Sequence, residues 1–352
     1  MESSRSLALI DANLNRGREG LRVLDDIARF LLNDGPLCTQ IKQLRHDLVA
    51  AEGRLKQTVP SLLHHRNVEA DAGTSISVEG EMSKTHVAEI AVANARRVQE
   101  ALRSLEEFGK LHCTAFAERI RQLRYRSYQM EQQLSEACAV VQRQQCPQLE
   151  SAGVYVLITE SLSRLPWKET VRACLTQGGI LQLREKGLSA SELLRRSRWF
   201  VSACREAGSL AIINDRADIA AMASADGVHL GQTDATVADV RQLLTATQLT
   251  GLSTHNATQL AAAMQTPADY FGAGPVFTSG TKQFDTFAGL DYIRHIAATA
   301  DRPWFAIGGI TLENVAAVAA AGASRVAVCG AVIGTDAPGK AISDLAAALM
   351  TP

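Results

Sequence analysis

Gln182, Arg184 and Lys186 occupy alternate positions of the stretch Ile180–Lys186, with Leu181, Leu183 and Glu185 between them. In a β-strand that spacing sets the amide and the two cations on one face. Burying an unpaired charge is costly, so this face predicts an anionic partner. Two carboxylates, Asp215 and Asp234, each fall just after a short aliphatic run, in company with Asn214, His229, Ser253 and His255. Mg2+ takes one or two carboxylates and completes its octahedron with phosphate oxygens and water. Asp215 and Asp234 facing Arg184, Lys186 and Lys282 therefore predict a metal-diphosphate site, the alternative for each Asp being a helix N-cap. One ion pair at about 4 Å returns about 4 kcal/mol at an effective dielectric near about 20. Taking a multiply charged diphosphate out of water costs more, so several cations and a metal are needed together.

A second anion site is suggested by Phe277-Thr278-Ser279-Gly280-Thr281-Lys282, whose hydroxyls and Lys suit a loop that hydrogen-bonds an anion, and by Gly308, Gly309 and Gly330. At such glycines, backbone N–H groups can approach a phosphate, whereas tight turns are their ordinary use. Two anion sites at one mouth suggest two phosphorylated substrates, with departure of diphosphate as the chemical step and a metal neutralising the leaving group's charge.

These residues need elements to hold them. After residue 150, aliphatic runs alternate with amphipathic helical segments, and the expected strands are Val154–Thr159, Ile180–Lys186, Leu210–Asp215, Gly227–Gly231, Leu249–Thr254, Tyr270–Val276, Trp304–Gly309 and Arg325–Gly330. Eight βα units in roughly 200 residues fit a small (β/α)8 barrel, in which chemistry sits where strands end. A doubly wound open sheet is the rival, but no Gly-x-Gly-x-x-Gly follows the first strand.

Residues 1–140 read as a mainly α-helical domain, 141–150 as a polar linker, and 151–352 as the barrel; a short piece at Ser75–Val78 is the one candidate strand in the first part. The helical part repeats itself. Asn13, Arg16, Glu19, Leu21, Arg22, Leu24, Asp25 and Asp26 recur 81 places later as Asn94, Arg97, Glu100, Leu102, Arg103, Leu105, Glu106 and Glu107, and Ile41–His46 matches Ile120–Tyr125 at an offset of 79. Two copies of a helix pair related by a pseudo-twofold follow. The shared Asn, Arg and Glu suggest a polar site at the seam, closed by the stretch 66–74; intrahelical ion pairs are the plainer account.

Composition limits the alternatives. The net charge is −1 and aromatics make up 5% of the chain, and the first 150 residues are themselves charge-balanced, which argues against nucleic-acid or membrane-surface binding. Seven scattered cysteines without a Cys-x-x-Cys pair predict reduced thiols, and no apolar run reaches a membrane span, so a soluble, cytoplasmic protein is expected.

Residues 151–335 resemble a thiamine phosphate synthase. The likeness rests on Gln182-Leu183-Arg184-Glu185-Lys186, Ile213-Asn214-Asp215, Gly227-Val228-His229-Leu230-Gly231-Gln232-x-Asp234, Gly251-Leu252-Ser253-x-His255, Gly274-Pro275-Val276-Phe277 with Thr281-Lys282, and Ile307-Gly308-Gly309-Ile310. It implies Mg2+-dependent joining of hydroxymethylpyrimidine diphosphate to thiazole phosphate, the diphosphate leaving first and the thiazole nitrogen capturing the pyrimidine-methyl cation. By the same resemblance Gln182, Arg184, Lys186, Asn214, Ser253 and Lys282 hold the pyrimidine diphosphate, with Arg184, Lys186, Ser253 and Lys282 catalytic. Asp215 and Asp234 bind the metal, and Ser279, Thr281, Gly309, Cys329 and Gly330 hold the thiazole phosphate. Thr233, Thr278-Ser279, Gln283 and Gly330 depart from the family's usual residues. A thiazole tautomerase-like barrel is the rival, but it has no need of Asp215, Asp234, Arg184 and Lys282 together.

Residues 7–135 resemble the helical domain fused in front of bacterial thiamine phosphate synthases, through Asp11–Arg16, Arg18–Val23, Arg45-His46, Asp71-x-Gly73-Thr74 and Glu100–Arg103. The resemblance implies phosphorylation of hydroxymethylpyrimidine phosphate with ATP, although no Gly-x-x-x-x-Gly-Lys-Ser/Thr loop is present. A non-catalytic assembly or regulatory module is the alternative. The partners expected are small-molecule substrates, with no nucleic acid and no membrane, and a homo-oligomer is compatible with the sequence.

Overall fold

A computed structural model describes residues 2–59, 86–176, 178–278 and 287–350. The chain divides into two compact units, residues 1–141 and 142–352. Ser75–Val78, the stretch 66–74 and the residues Ser279, Thr281, Lys282 and Gln283 lie outside the described residues. No helix among the described residues is long and apolar enough to cross a membrane, and all seven cysteines are free thiols.

The first unit is built from α1 (Glu2–Asp26), α2 (Gly35–Thr58), α3 (Val87–Gly109) and α4 (Thr114–Gln144). Leu14, Leu21 and Leu24 of α1 share a core with Val98, Leu102 and Leu105 of α3, which is the helical spacing of the sequence turned into a buried face. Gly20 lets the two helices close up, since a Cβ there would lie 2.7 Å from Val98 Cγ2 and 3.2 Å from the Asn94 carbonyl. Such a glycine costs about 1 kcal/mol of helix propensity, and close packing is what it returns.

The internal repeat shows most clearly in two matched ion pairs. Asp25 on α1 is buried and accepts from Arg45 on α2 at 3.4 Å; its counterpart Glu106 on α3 is buried and accepts from Arg124 Nε on α4 at 2.8 Å. In each copy the first helix thus supplies a carboxylate and the second an arginine that crosses to it. Arg16, Glu19, Arg22, Arg97, Glu100 and Arg103, by contrast, are exposed. Asn13, which belongs to the same repeated set, is buried, and Arg22–Asp26 and Arg103–Glu107 are pairs within single helices.

In the second unit eight parallel strands close into a barrel in sequence order: β1 (Val154–Ile158), β2 (Ile180–Leu183), β3 (Leu210–Asn214), β4 (Gly227–Leu230), β5 (Leu249–Thr254), β6 (Tyr270–Ala273), β7 (Trp304–Ile307) and β8 (Val326–Val328). All eight expected strands form, and seven of them end earlier than the sequence suggests, β5 alone running its full expected length. β2 stops at Leu183: the Arg184 N–H still donates to Ile158 O at 2.8 Å, but the Glu185 carboxylate then takes the Glu160 N–H at 2.7 Å and the chain turns away. Arg184 and Lys186 therefore stand on the loop above the strand and not within it.

Side chains alternate as a barrel requires. Val154, Val156, Ile158, Leu181 and Leu183 pack outward under the helices, while Tyr155, Leu157, Ile180, Ile212, Leu249, Tyr270 and Phe305 fill the interior. The polar stretch read as a linker is largely helical, through Gln144 and again over Pro147–Ser151. Its Gln, Arg and Glu residues are good helix formers. Leu149, 1% exposed, joins the interior cluster from the N-terminal end of the strands. Arg143 donates to the buried Asp269 carboxylate at 3.1 Å, which also binds Arg241 and the Thr250 N–H.

Candidate active site

The C-terminal end of the strands opens into a cavity of about 440 Å³, within the range of small-molecule sites. Gln182, Arg184, Lys186, Asn214, Asp215, Asp234, Ser253, Gly309, Cys329 and Gly330 all line it. Ten residues singled out by the sequence, drawn from six strands and their loops, are thus brought together.

On one side lie the carboxylates. Asp215 is held at φ +60°, a left-handed backbone that Asp tolerates better than most side chains, and its N–H donates to His229 O at 2.8 Å. Lys186 Nζ lies 3.3 Å from Asp215 Oδ2, so part of the anionic partner expected opposite the cations is this carboxylate. Asp234 turns back so that its Oδ2 accepts from Gly231 N–H at 2.7 Å. Burial, and after it the adjoining Asp215 carboxylate, pushes the Asp234 carboxyl above its ordinary pKa, against the pull of Gly231 N–H and Lys186. A second carboxylate close enough to oppose the ionisation of Asp234 suits a divalent cation. Among the described residues no cluster of three or more His, Cys, Asp or Glu forms a metal site.

On the other side are the glycines. Gly308 and Gly309 have φ of +105° and +64°. A Cβ on Gly308 would lie 2.6 Å from Pro275 Cα, and one on Gly309 would collide with the Thr278 carbonyl. Both positions therefore demand glycine for backbone reasons, and they leave main-chain atoms facing the cavity. At Gly330 a Cβ would meet nothing within 4 Å, so the protein's own packing does not require glycine there.

Between the two sides runs a polar floor in which Gln182, His229 and Ser253 are joined by two tyrosines that the sequence did not single out. Gln182, 2% exposed, donates from Nε2 to Tyr155 Oη at 2.7 Å, while its Oε1 has no partner. Tyr155 and Tyr270 hydroxyls are 3.2 Å apart, and the His229 ring bridges Tyr270 and Ser253. The two tyrosines fall inside runs that look purely hydrophobic. The only signal was the period-2 alternation that aims them, like Gln182, into the barrel.

Burial holds His229 down to about 4, with Asp215 pulling weakly the other way. An unfolded imidazole titrates near about 6.5. Between those values the unfolded chain binds a proton that the folded chain refuses, so stability is full above about pH 6.5 and falls as the pH drops toward about 4. The loss reaches up to about 3 kcal/mol. Urea midpoints of metal-free protein at about pH 7 and about pH 4.5 check this, and His229→Asn should flatten the difference. An equal drop in the variant would place the acid sensitivity elsewhere.

Fold and site together define a (β/α)8-barrel enzyme whose mouth sets carboxylates and cations opposite a glycine-lined wall. Residues 154–332 match the thiamine monophosphate synthase family and residues 8–133 the ThiD2 family. The chain belongs to the thiamine monophosphate synthase family, and the enzyme is a transferase. The thiamine-phosphate synthase of Synechocystis sp. is 38% identical over 339 residues, covering 96% of this chain and 94% of the relative. That of Nostoc sp. is 39% identical over 331 residues, covering 94% and 90%. Among solved structures, a thiamine phosphate pyrophosphorylase from Pyrococcus furiosus is 29% identical with a TM-score of 0.52, covering 58% of this chain and 97% of that one.

Proposed function

We propose that the barrel condenses 4-amino-2-methyl-5-hydroxymethylpyrimidine diphosphate with 4-methyl-5-(2-phosphoethyl)thiazole to give thiamine phosphate and diphosphate. The observation that carries this reading is the convergence of Asp215, Asp234, Arg184 and Lys186 on one side of a cavity whose other wall is Gly308, Gly309 and Gly330. That arrangement offers separate places for a diphosphate and a phosphate. A thiazole tautomerase has one phosphate to hold and no leaving group to neutralise.

In this reading Asp215 and Asp234 would hold Mg2+, which would supply charge neutralisation to the diphosphate. Arg184, Lys186 and Lys282 bind the diphosphate oxygens. Scission of the pyrimidine CH2–O bond sends its electron pair to the diphosphate, and the thiazole nitrogen lone pair then forms the new C–N bond. Gln182 and Ser253 orient the pyrimidine on the floor, Asn214 assists at the diphosphate, and Ser279, Thr281, Gly309 and the Cys329–Gly330 backbone hold the thiazole phosphate. Preorganised cations contribute because they need not reorganise as charge builds.

Residues 8–133 phosphorylate hydroxymethylpyrimidine phosphate with ATP to supply this substrate, a reading supported by the ThiD2 match. The test is the whole chain given pyrimidine monophosphate, ATP, Mg2+ and thiazole phosphate. Thiamine phosphate is expected. Product from the pyrimidine diphosphate but none from the monophosphate would make the helical unit a non-catalytic module. Product from neither would overturn the synthase reading.

A further inference from the structure

We infer that Tyr155, Tyr270 and His229 form a hydrogen-bond chain that fixes the direction of the donors and acceptors on the cavity floor, and so selects the donor–acceptor pattern of the heterocycle bound there. This rests on the pyrimidine reading above and deepens it.

The chain crosses the barrel from β2 to β5. Gln182 Nε2 donates to Tyr155 Oη at 2.7 Å, Tyr155 Oη lies 3.2 Å from Tyr270 Oη, Tyr270 Oη lies 3.2 Å from His229 Nδ1, and His229 Nε2 lies 3.0 Å from Ser253 Oγ. Each hydroxyl has one proton to give, and a neutral imidazole has one N–H and one acceptor. The amide at one end therefore sets everything after it. Because Tyr155 accepts from Gln182, its own proton goes to Tyr270. The Tyr270 proton goes to His229 Nδ1, which leaves His229 protonated on Nε2 and donating to Ser253. The Ser253 proton is then free to point into the cavity, and at the opposite end Gln182 Oε1 is buried with no partner.

The floor thus shows an acceptor at Gln182 and a donor at Ser253. An aminopyrimidine suits both: its exocyclic amine donates to Gln182 Oε1 and a ring nitrogen accepts from Ser253 Oγ. A 4-oxo analogue sets a carbonyl where the amine was, and two acceptors then meet at Gln182.

Packing does not account for these groups, since phenylalanine would fill the positions of Tyr155 and Tyr270, and burying hydroxyls costs free energy unless they are bonded. The barrel also makes room for the chain. A Cβ on Gly251 would collide with the rings of both Tyr270 and His229, and one on Gly272 would lie 3.2 Å from His229 Cε1. The chain behaves as a unit with two opposite polarities, so cutting it in the middle frees each end to choose its own.

The experiment compares kcat/KM for the amino and 4-oxo pyrimidine diphosphates in the wild-type chain, Tyr155→Phe and Tyr270→Phe. The amino preference should fall at least about tenfold in Tyr270→Phe, with the KM for thiazole phosphate unchanged. In parallel, 15N-detected imidazole NMR, with His229 assigned against His229→Gln, should show the Nε2–H tautomer in the wild type and its loss in Tyr270→Phe. An unchanged preference in both Phe variants, an equal loss on both pyrimidines, or an Nδ1–H tautomer in the wild type overturns the inference. Should the wild type condense neither pyrimidine, the synthase reading fails by itself and the tautomer still decides whether the chain has this polarity.

Discussion

Asp234→Ala will lower Mg2+-dependent condensation by about a thousandfold or more, about 4 kcal/mol of transition-state stabilisation. The side chain has two jobs that must be separated: it accepts from Gly231 N–H at 2.7 Å and it stands against Asp215. Asp234→Asn keeps an acceptor for Gly231 and removes the charge. If the carboxylate serves a metal, Asn should be nearly as inactive as Ala while unfolding at the wild-type urea concentration; if it serves only the loop, Asn should restore turnover. Lys186→Ala belongs to the same experiment. Its ion pair with Asp215 is 54% exposed on the lysine side, so its removal costs at most about 1 kcal/mol of stability, yet turnover should fall about a hundredfold. Wild-type-like rates in either Ala variant would sink the diphosphate clamp.

The largest effect on the fold is expected in the helical unit. Glu106→Ala leaves Arg124 buried without its carboxylate, a situation that costs about 3–5 kcal/mol. Arg124 keeps a bond to Tyr128 Oη at 2.9 Å and lies over the Tyr125 ring, neither of which neutralises it. Replacing both partners by apolar residues, Glu106→Leu with Arg124→Met, should recover most of the loss. The matched pair in the first copy is looser, at 3.4 Å with Arg45 26% exposed, so Arg45→Ala should cost clearly less than Arg124→Ala. Urea unfolding of the four chains ranks them, and a loss below about 1 kcal/mol for Glu106→Ala would mean that water reaches the Arg124 guanidinium.

Much of the barrel could be read from the chain because its strands are short, aliphatic and evenly spaced, and because polar residues follow them at one end. Strand ends were overrun because hydrophobic pattern carries no information about where a side chain captures the next N–H, as Glu185 does at Glu160. The repeat was legible, but its meaning was not. Asp25 with Glu106 and Arg45 with Arg124 were aligned as conserved-in-copy charges, and only the packing of one helix on the next turns them into partners. Tyr155 and Tyr270 escaped for a related reason, whereas His229 stood out among the polar residues at the strand ends: a tyrosine in an aliphatic run looks like core until the strands curl round and bring its hydroxyl to another.

The plug at the N-terminal end of the strands bears on where this gene could have been joined or could now be cut. Leu149 fills the bottom of the barrel and Arg143 is tied to Asp269 across it, so both belong to the barrel although they precede its first strand. A recombination point or a cloning boundary placed at residue 151, where composition changes, would deliver a cylinder with its base open to water and a carboxylate short of one cation. A junction ahead of Gln142 carries the stopper along with the vessel.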